Sequence, residues 1–256
     1  MMYRLVLLLS LLPLPLPLPL AAWEQPVSGY AYMPEQMQRM QDDEFENPGM
    51  FTVEEGGVLF HAPGYNGNTC ATCHGADGSK LDPRAIARYP VFSPGHEGPL
   101  TLQQRINDCR EHHLDEFPLT YDEPELVKLE TFVRHLARGE KVNVDVSGPL
   151  RPWYESGKAL YHTRIGQLDM GCHHCHDRYV DLNLRDQVLN QGHSNAFPSH
   201  RLLIADISSL HGKFRDCYAT LRAMPYDVGS EEYIALEVYL NARGNGLPIE
   251  TPGIRR

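Results

Sequence analysis

Three features of this sequence predict a mainly α-helical protein made of two tandem units related by internal duplication, with an N-terminal extension. The run Cys-x-x-Cys-His occurs twice, at Cys70, Cys73 and His74 and again at Cys172, Cys175 and His176. Each copy is preceded by Gly-x-x-Leu and an aromatic residue, Gly56 to Phe60 and Gly157 to Tyr161, and each is followed by a helical pattern carrying one more cysteine, Cys109 or Cys217. Later segments repeat as well: Leu102-x-x-Arg105-Ile106-x-Asp108-Cys109 matches Leu210-x-x-Lys213-Phe214-x-Asp216-Cys217, and Leu129-Glu130-x-Phe132 matches Leu236-Glu237-x-Tyr239. All these pairs lie roughly a hundred residues apart, and duplication is the simplest account of that.

Cys-x-x-Cys-His is the attachment signature of a c-type haem. Two cysteines three apart on a helix share a face, so both sulfurs can bond the haem vinyl groups while the next residue aims an imidazole at the iron. Two copies predict two haem c groups and two cytochrome c-type domains, with Cys70, Cys73, Cys172 and Cys175 as attachment residues and His74 and His176 as axial ligands. A pair of zinc knuckles would leave the fixed place of the histidine unexplained, and a redox Cys-x-x-Cys pair explains it no better.

In chain order, residues 1–22 hold one positive charge, Arg4, then a leucine and proline run ending at Ala21-Ala22. This reads as a secretory signal peptide, interrupted by Pro13, Pro15, Pro17 and Pro19 and too irregular for a spanning helix. The expected destination is the periplasm, where haem attachment takes place, with no insertion in the membrane. Formal net charge is −10, and loss of Arg4 makes the exported chain more acidic, which excludes nucleic acid and anionic membrane as partners.

Residues 23–50 form the N-terminal extension, with a short polar helix near Gln36 to Gln41 and a breaker at Asn47-Pro48-Gly49; it is expected to lie as a strap on the domain that follows. The first domain spans 51–140 and the second 153–256, joined by a linker, 141–152, containing Gly148, Pro149 and Pro152. Thr101 and Gln104 form a capping box for a helix that puts Leu102, Ile106 and Cys109 on one face. Leu210, Phe214 and Cys217 repeat that face. Pro124 and Gly139 bracket the last helix of the first domain, Ser230 and Gly244 that of the second. Gly56 and Phe60 should meet Leu129 and Phe132 where first and last helices cross, as should Gly157 and Tyr161 with Leu236 and Tyr239, a glycine allowing close backbone approach. The proline- and glycine-rich stretches 75–98 and 178–199 read as long loops.

Cys109 and Cys217 remain after four cysteines are assigned to thioethers. Each stands where the second axial ligand of a cytochrome usually comes from. No methionine lies between Met50 and Met170, so rivals are His112, His113 and His135 in the first domain and Met224, His193, His200 and His211 in the second. A Cys109–Cys217 disulfide is the structural alternative in an oxidising compartment, ranked below ligation because a duplicated position asks for the same role twice. Thiolate ligation stabilises ferric iron and suits sulfur chemistry better than simple electron relay. Around Cys217, Arg201, Lys213, Arg215 and Arg222 stand against Asp206 and Asp216, a positive site that favours thiolate and attracts anions. Lys213, four residues before Cys217, shares its helical face; the competing role is a bond to a haem propionate, since Arg105 holds the matching place. His173 and His174 are expected to face solvent.

These residues resemble the SoxA family, dihaem subunits of the SoxAX cytochromes that initiate thiosulfate oxidation. The resemblance runs through Gln41-Asp42-Asp43 and Asn47-Pro48-Gly49, Cys70-Ala71-Thr72-Cys73-His74-Gly75, Arg105-Ile106-Asn107-x-Cys109-Arg110, Gly166-Gln167-Leu168, Phe214-Arg215-x-Cys217, Arg222-Ala223-x-Pro225-Tyr226 and Glu250-Thr251-Pro252-Gly253. It implies a heterodimer with the monohaem cytochrome SoxX and an L-cysteine S-thiosulfotransferase activity, joining thiosulfate oxidatively to a cysteine of the carrier SoxYZ. It also implies that Cys217 is an axial ligand that acts in catalysis and can carry a persulfide, and that the residue four before it binds substrate. The family has arginine there and this chain has Lys213, which keeps the charge but lacks the bidentate fork. Alternative readings are a thiosulfate dehydrogenase forming tetrathionate and a plain dihaem electron carrier.

Overall fold

In each half of the chain the first long helix crosses the last at a glycine. This computed structural model describes residues 25–185 and 187–256; the expected signal peptide, 1–22, lies outside the described residues. The helices are α1 (Glu35–Asp42), α2 (Met50–Phe60), α3 (Cys70–His74), α4 (Pro83–Ile86), α5 (Leu102–Leu114), α6 (Pro124–His135), α7 (Arg151–His162), α8 (Leu210–Thr220) and α9 (Glu231–Arg243). At the first crossing, of α2 with α6, a Cβ on Gly56 would collide with the Lys128 carbonyl oxygen and lie 2.8 Å from the Phe132 Cβ. At the second, of α7 with α9, a Cβ on Gly157 would collide with the Ala235 carbonyl oxygen and lie 2.8 Å from the Tyr239 Cβ. The aromatic partners complete each crossing, with ring centroids 5.0 Å apart for Phe60 and Phe132 and 5.2 Å for Tyr161 and Tyr239.

Caps set the helix ends where the sequence places them. Thr101 and Gln104 close a reciprocal capping box at the start of α5, and Ser209 and Ser230 accept from backbone amides at the starts of α8 and α9. Gly244 caps the end of α9. Helix α6 stops at His135, with a further turn before Gly139, whose φ of 89° takes the chain out of the helix direction.

The stretches read as long loops contain short elements. Strands β1 (Val91–Ser93) and β2 (Gly98–Leu100) pair antiparallel, as do β3 (Asn183–Leu184) and β4 (Gln187–Val188). Strand β5 (Ser199–Arg201) pairs antiparallel with β6 (Asp206–Ser208) and parallel with β7 (Gly253–Arg255), giving the order β6-β5-β7. Two- and three-residue strands carry too few alternations to show a period of two.

Two expectations about the connecting segments change. The linker is part of the core: Val142, Val144 and Leu150 are buried among Phe60, Leu126, Leu129 and Ile249. Its backbone is paired as well, Val142 N donating to Leu247 O at 2.9 Å and Gly246 N to Val142 O at 2.9 Å. The N-terminal segment, expected on the domain that follows it, instead lies chiefly on the end of the chain. Gln41, 1% exposed, accepts from Ile254 N at 2.8 Å and Arg255 Nη1 at 3.0 Å, and Asn47 Nδ2 donates to Pro252 O at 3.0 Å. Ser28 bonds Glu250, and Val27 N donates to Gln191 Oε1 at 2.9 Å. These polar side chains find buried backbone partners there that the helical surface of the first half lacks. Among the described residues no helix is long and apolar enough to cross a membrane.

The crossings supply the first prediction. Gly157→Ala forces α7 and α9 apart and should destabilise the protein by about 1–3 kcal/mol, the usual range for overpacking. Gly148→Ala, where a Cβ meets nothing within 4 Å, should change stability by less than about 0.5 kcal/mol. Denaturant unfolding of both variants checks this; equal effects would remove the special role of the crossing.

Candidate functional site

The first Cys-x-x-Cys-His turn is held by its own cap. Thr69 accepts from Thr72 N at 3.0 Å while Thr72 Oγ1 accepts from Thr69 N at 3.1 Å, and Gly75, at φ 84°, ends the turn directly after His74. Helix α5 crosses near enough for Cys109 to be felt by Cys70 and Cys73. Burial, then Cys109, pushes the Cys70 thiol up, and burial pushes Cys109 up, with Arg105 opposing and Asp108 and Cys73 adding. Burial lowers the His74 pKa, followed by the charge of the exposed His113. Arg105 is engaged locally: its Nε donates to Tyr89 Oη at 3.2 Å and its Nη1 lies 3.5 Å from Asp108, which also faces His96 at 3.1 Å.

The second motif is wound more widely. Residues 172 and 173 are α-helical and His174–Arg178 form a π-type turn. His176 is fixed on two sides: its Nδ1 bonds the Asn190 carbonyl at 2.7 Å, and Gly192, at φ 70°, leaves so little room that a Cβ would sit 2.7 Å from the ring. A carbonyl can only accept, so Nδ1 carries the proton and Nε2 is the free nitrogen. Burial lowers the His176 pKa, Asn190 opposes this, and the Lys213 charge lowers it further. The motif is tied to α9 by Arg243, which donates to Asp177 Oδ1 at 2.6 Å, to Gln191 O at 2.9 Å and to the Tyr161 hydroxyl. Tyr161 in turn donates to Asp177 at 2.7 Å.

Helix α8 presents Lys213 and Cys217 one turn apart, both half-buried. Burial, then Cys217, pushes the Cys172 thiol up to about 12, and the same two causes in the same order raise Cys175. Of the cations assigned to this site by sequence, Arg201 is withdrawn. It is 8% exposed, donates to Arg256 O at 2.7 Å and lies 3.6 Å from Asp216. Lys213 has no ion pair among the described residues and sits close enough to His176 to lower its pKa.

No disulfide joins Cys109 to Cys217. Of the rival ligands of the second half, Met224 is 89% exposed, His193 Nε2 bonds Gln191 at 2.8 Å, His200 lies within β5, and His211 faces Glu237 at 3.1 Å. In the first half, His112 bonds the Asp108 carbonyl at 2.8 Å and His135 the Thr251 carbonyl at 3.2 Å, while His113 stays near His74. His173 and His174 do not face solvent as expected. They are half-buried, their rings lie 4.0 Å apart, and the His173 ring lies 5.0 Å from that of His162. Asn190, Gly192, Arg243 and Asp177 were not singled out by sequence, and Tyr161 was singled out only as a packing residue of the helix crossing.

The donor set suits haem c. In the second half Cys172 and Cys175 lie near enough to Cys217 to be raised by it, with His176 directly following Cys175, and in the first half Cys70 and Cys73 stand in the same relation to Cys109, with His74 directly following Cys73. Neutral imidazole and thiolate sulfur are the usual partners of haem iron.

Comparison with known proteins agrees. The SoxA/TsdA cytochrome c domain family matches residues 55–142. The L-cysteine S-thiosulfotransferase subunit SoxA of Rhodovulum sulfidophilum is 38% identical over 89% of this chain and 79% of its own length. The protein of the same description from Pseudaminobacter salicylatoxidans is 34% identical over 91% of this chain and 82% of its own. The crystal structure of SoxXA from P. pantotrophus matches with a TM-score of 0.83 at 29% identity, covering 90% of this chain and 87% of that one. The fold is thus a helix-rich cytochrome c fold, its donor set is that of a haem c protein, and the chain belongs to the SoxA family of L-cysteine S-thiosulfotransferase subunits.

Proposed function

We propose that this chain is the dihaem subunit of a periplasmic L-cysteine S-thiosulfotransferase, built from two duplicated cytochrome c-type domains at 51–140 and 153–256, and that sulfur bonds are made at Cys217. The observation that carries the assignment to the second half is the pairing of Cys217 with an uncommitted cation, Lys213, on one face of α8. Its counterpart in the first half, Arg105, is occupied by Asp108 and Tyr89. In the net reaction a carrier cysteine thiol and the thiosulfate dianion give an S-thiosulfonate, one proton and two electrons. Haem c held by Cys172, Cys175, His176 and Cys217, and a second by Cys70, Cys73, His74 and Cys109, supplies one-electron redox capacity beside the sulfur.

The chain's own residues bind, orient and carry. Lys213 holds the sulfonate end of thiosulfate as a point charge. Cys217 is the sulfur beside which the dianion is held, and it can itself carry a persulfide. Asn190 and Gly192 fix the plane and tautomer of His176, and Arg243 keeps the motif against α9. Relatives that form SoxXA support SoxX as the partner chain, and the family's activity supports the carrier SoxYZ as the protein that receives thiosulfate.

Haem quantification should give two covalent haems per chain, and Cys172→Ser should abolish attachment at the second site only; one haem in the unaltered chain contradicts the assignment. Cys109→Met should retain substantial carrier thiosulfonation while Cys217→Met loses nearly all of it, as read by mass spectrometry of the carrier; equal losses would show that the halves share the chemistry. Tetrathionate in the same assay would point instead to coupling of two thiosulfates. For Lys213, a charge-assisted contact of about 1.5–3 kcal/mol corresponds to roughly 10- to 150-fold in turnover. Lys213→Met should therefore lower turnover by that factor, and Lys213→Arg should be tolerated. If the lysine serves a propionate, Lys213→Met shifts the second haem's potential and leaves the thiosulfate dependence unchanged.

A further inference from the structure

The two halves meet at a cavity that the sulfur chemistry does not use. Glu130 on α6 and Glu237 on α9 occupy matched positions of the repeat and line the same space, about 10 Å³, together with Arg134, Ser194, His211 and Asn241. Two carboxyl groups brought together from separate helices, with Asp122 also on the wall, would repel if all were ionised.

Their direct partners are few. Gln103 Nε2 donates to Glu130 Oε2 at 2.8 Å and to Asp122 Oδ1 at 3.0 Å. Tyr121 Oη donates to Glu237 Oε2 at 3.1 Å, and His211 Nε2 lies 3.1 Å from the same oxygen. His211 Nδ1 accepts from Gly229 N at 3.1 Å, which puts a ring proton on Nε2, on the side of Glu237. Asp122 Oδ2 is taken by Ser209 Oγ at 2.6 Å.

Four polar atoms on the cavity wall have no hydrogen-bond partner among the described residues: Arg134 Nε, Ser194 Oγ, Asn241 Oδ1 and His211 Nε2, which lies near Glu237 without forming a hydrogen bond to it. These residues are 5%, 2%, 2% and 1% exposed. Buried polar atoms left unmatched are costly, and four around one space point to something that fills it. The volume is that of a single water molecule, and a water, with two donors and two acceptor sites, answers Nε–H, a hydroxyl and an amide oxygen together. Among the described residues no group of three or more ligating side chains is arranged for a metal ion, and the carboxylates already accept from Gln103 and Tyr121.

We propose that this junction is a proton-holding site, in which Glu130 keeps a proton and one enclosed water sits beside it between the two halves of the protein. The groups facing the pair are Asp122 and Tyr121 from the loop before α6, Arg134 from α6 itself, and His211 from α8. Burial first, then the Glu237 charge, pushes Glu130 up to about 8, with Gln103 and Arg134 opposing and Asp122 adding. Glu130 thus carries the proton at neutral pH and gives it up in mild alkali. Because the folded pKa exceeds that of an unfolded glutamate, its contribution is fully present below about pH 4.5 and is lost as pH rises to about 8.

The test uses the haem-loaded protein and is independent of the sulfur-transfer reading. Infrared difference spectra should show a protonated carboxylic acid band at pH 6.5 that vanishes by pH 10 and is missing in Glu130→Gln. In denaturant unfolding, the unfolding constant of the unaltered protein relative to that of Glu130→Gln should rise about tenfold per pH unit between pH 5 and 8 and then level off. A crystal structure should place a water within hydrogen-bonding distance of Arg134 Nε and Ser194 Oγ. Absence of the band at pH 6.5 in the unaltered protein overturns the proposal even if Glu130→Gln fails to fold, and so does a pH-independent ratio. A cation at the water's position overturns it too, by showing both carboxylates ionised.

Discussion

The backbone contact of α2 with α6, and of α7 with α9, is the constraint on which the rest of each half is hung. With hydrogen in place of a side chain at Gly56 and Gly157, the carbonyls of Lys128 and Ala235 come within van der Waals reach of the facing helix. That closeness fixes where the following Cys-x-x-Cys-His turn begins, since only a short connection separates Phe60 from Cys70 and Tyr161 from Cys172. It also fixes where α5 and α8 lie, because both pack beneath the last helix of their half through Ile106 and Phe214. The cysteines of each Cys-x-x-Cys-His turn and the remaining cysteine are brought near one another by helix geometry.

Much of this is legible in the sequence because the carriers of the information are local. Cys-x-x-Cys-His is a five-residue chemical statement, the capping box at Thr101 and Gln104 is a four-residue one, and the glycine and aromatic pairs recur at a fixed interval. The parts that escaped are non-local. Asn190 was invisible because it acts through its carbonyl, which every residue has, and Arg243 because its meaning depends on Tyr161 and Asp177, far away in the chain. Burial of the linker escaped for the same reason: Val142 and Val144 pair with the segment around Asn245 and Leu247, and no window of sequence holds both.

The two halves share a helix crossing and differ in polarity. Where the first crossing sets Phe60 against Phe132, the second sets Tyr161 against Tyr239, and the added Tyr161 hydroxyl joins Asp177 and Arg243 in a network holding the second Cys-x-x-Cys-His turn. Where Arg105 is neutralised by the aspartate three residues on, the corresponding aspartate of the second half faces Arg201 and leaves Lys213 available. A rigid, polar-locked imidazole next to an available cation suits a place where bonds to an anion are made. In the first half the matching cation is occupied.

The strap formed by the N-terminal segment has a consequence for assembly. Strand β7 is the last element of the chain, and one of its neighbours is Gln41, near the beginning. A chain delivered from its N-terminus can fold the first half early, but Gln41 must wait, its buried amide unmatched, until Ile254 and Arg255 arrive. The seating of Gln41 therefore depends on residues far along the chain, and a change at Ile254 or Arg255 is felt at Gln41 as well.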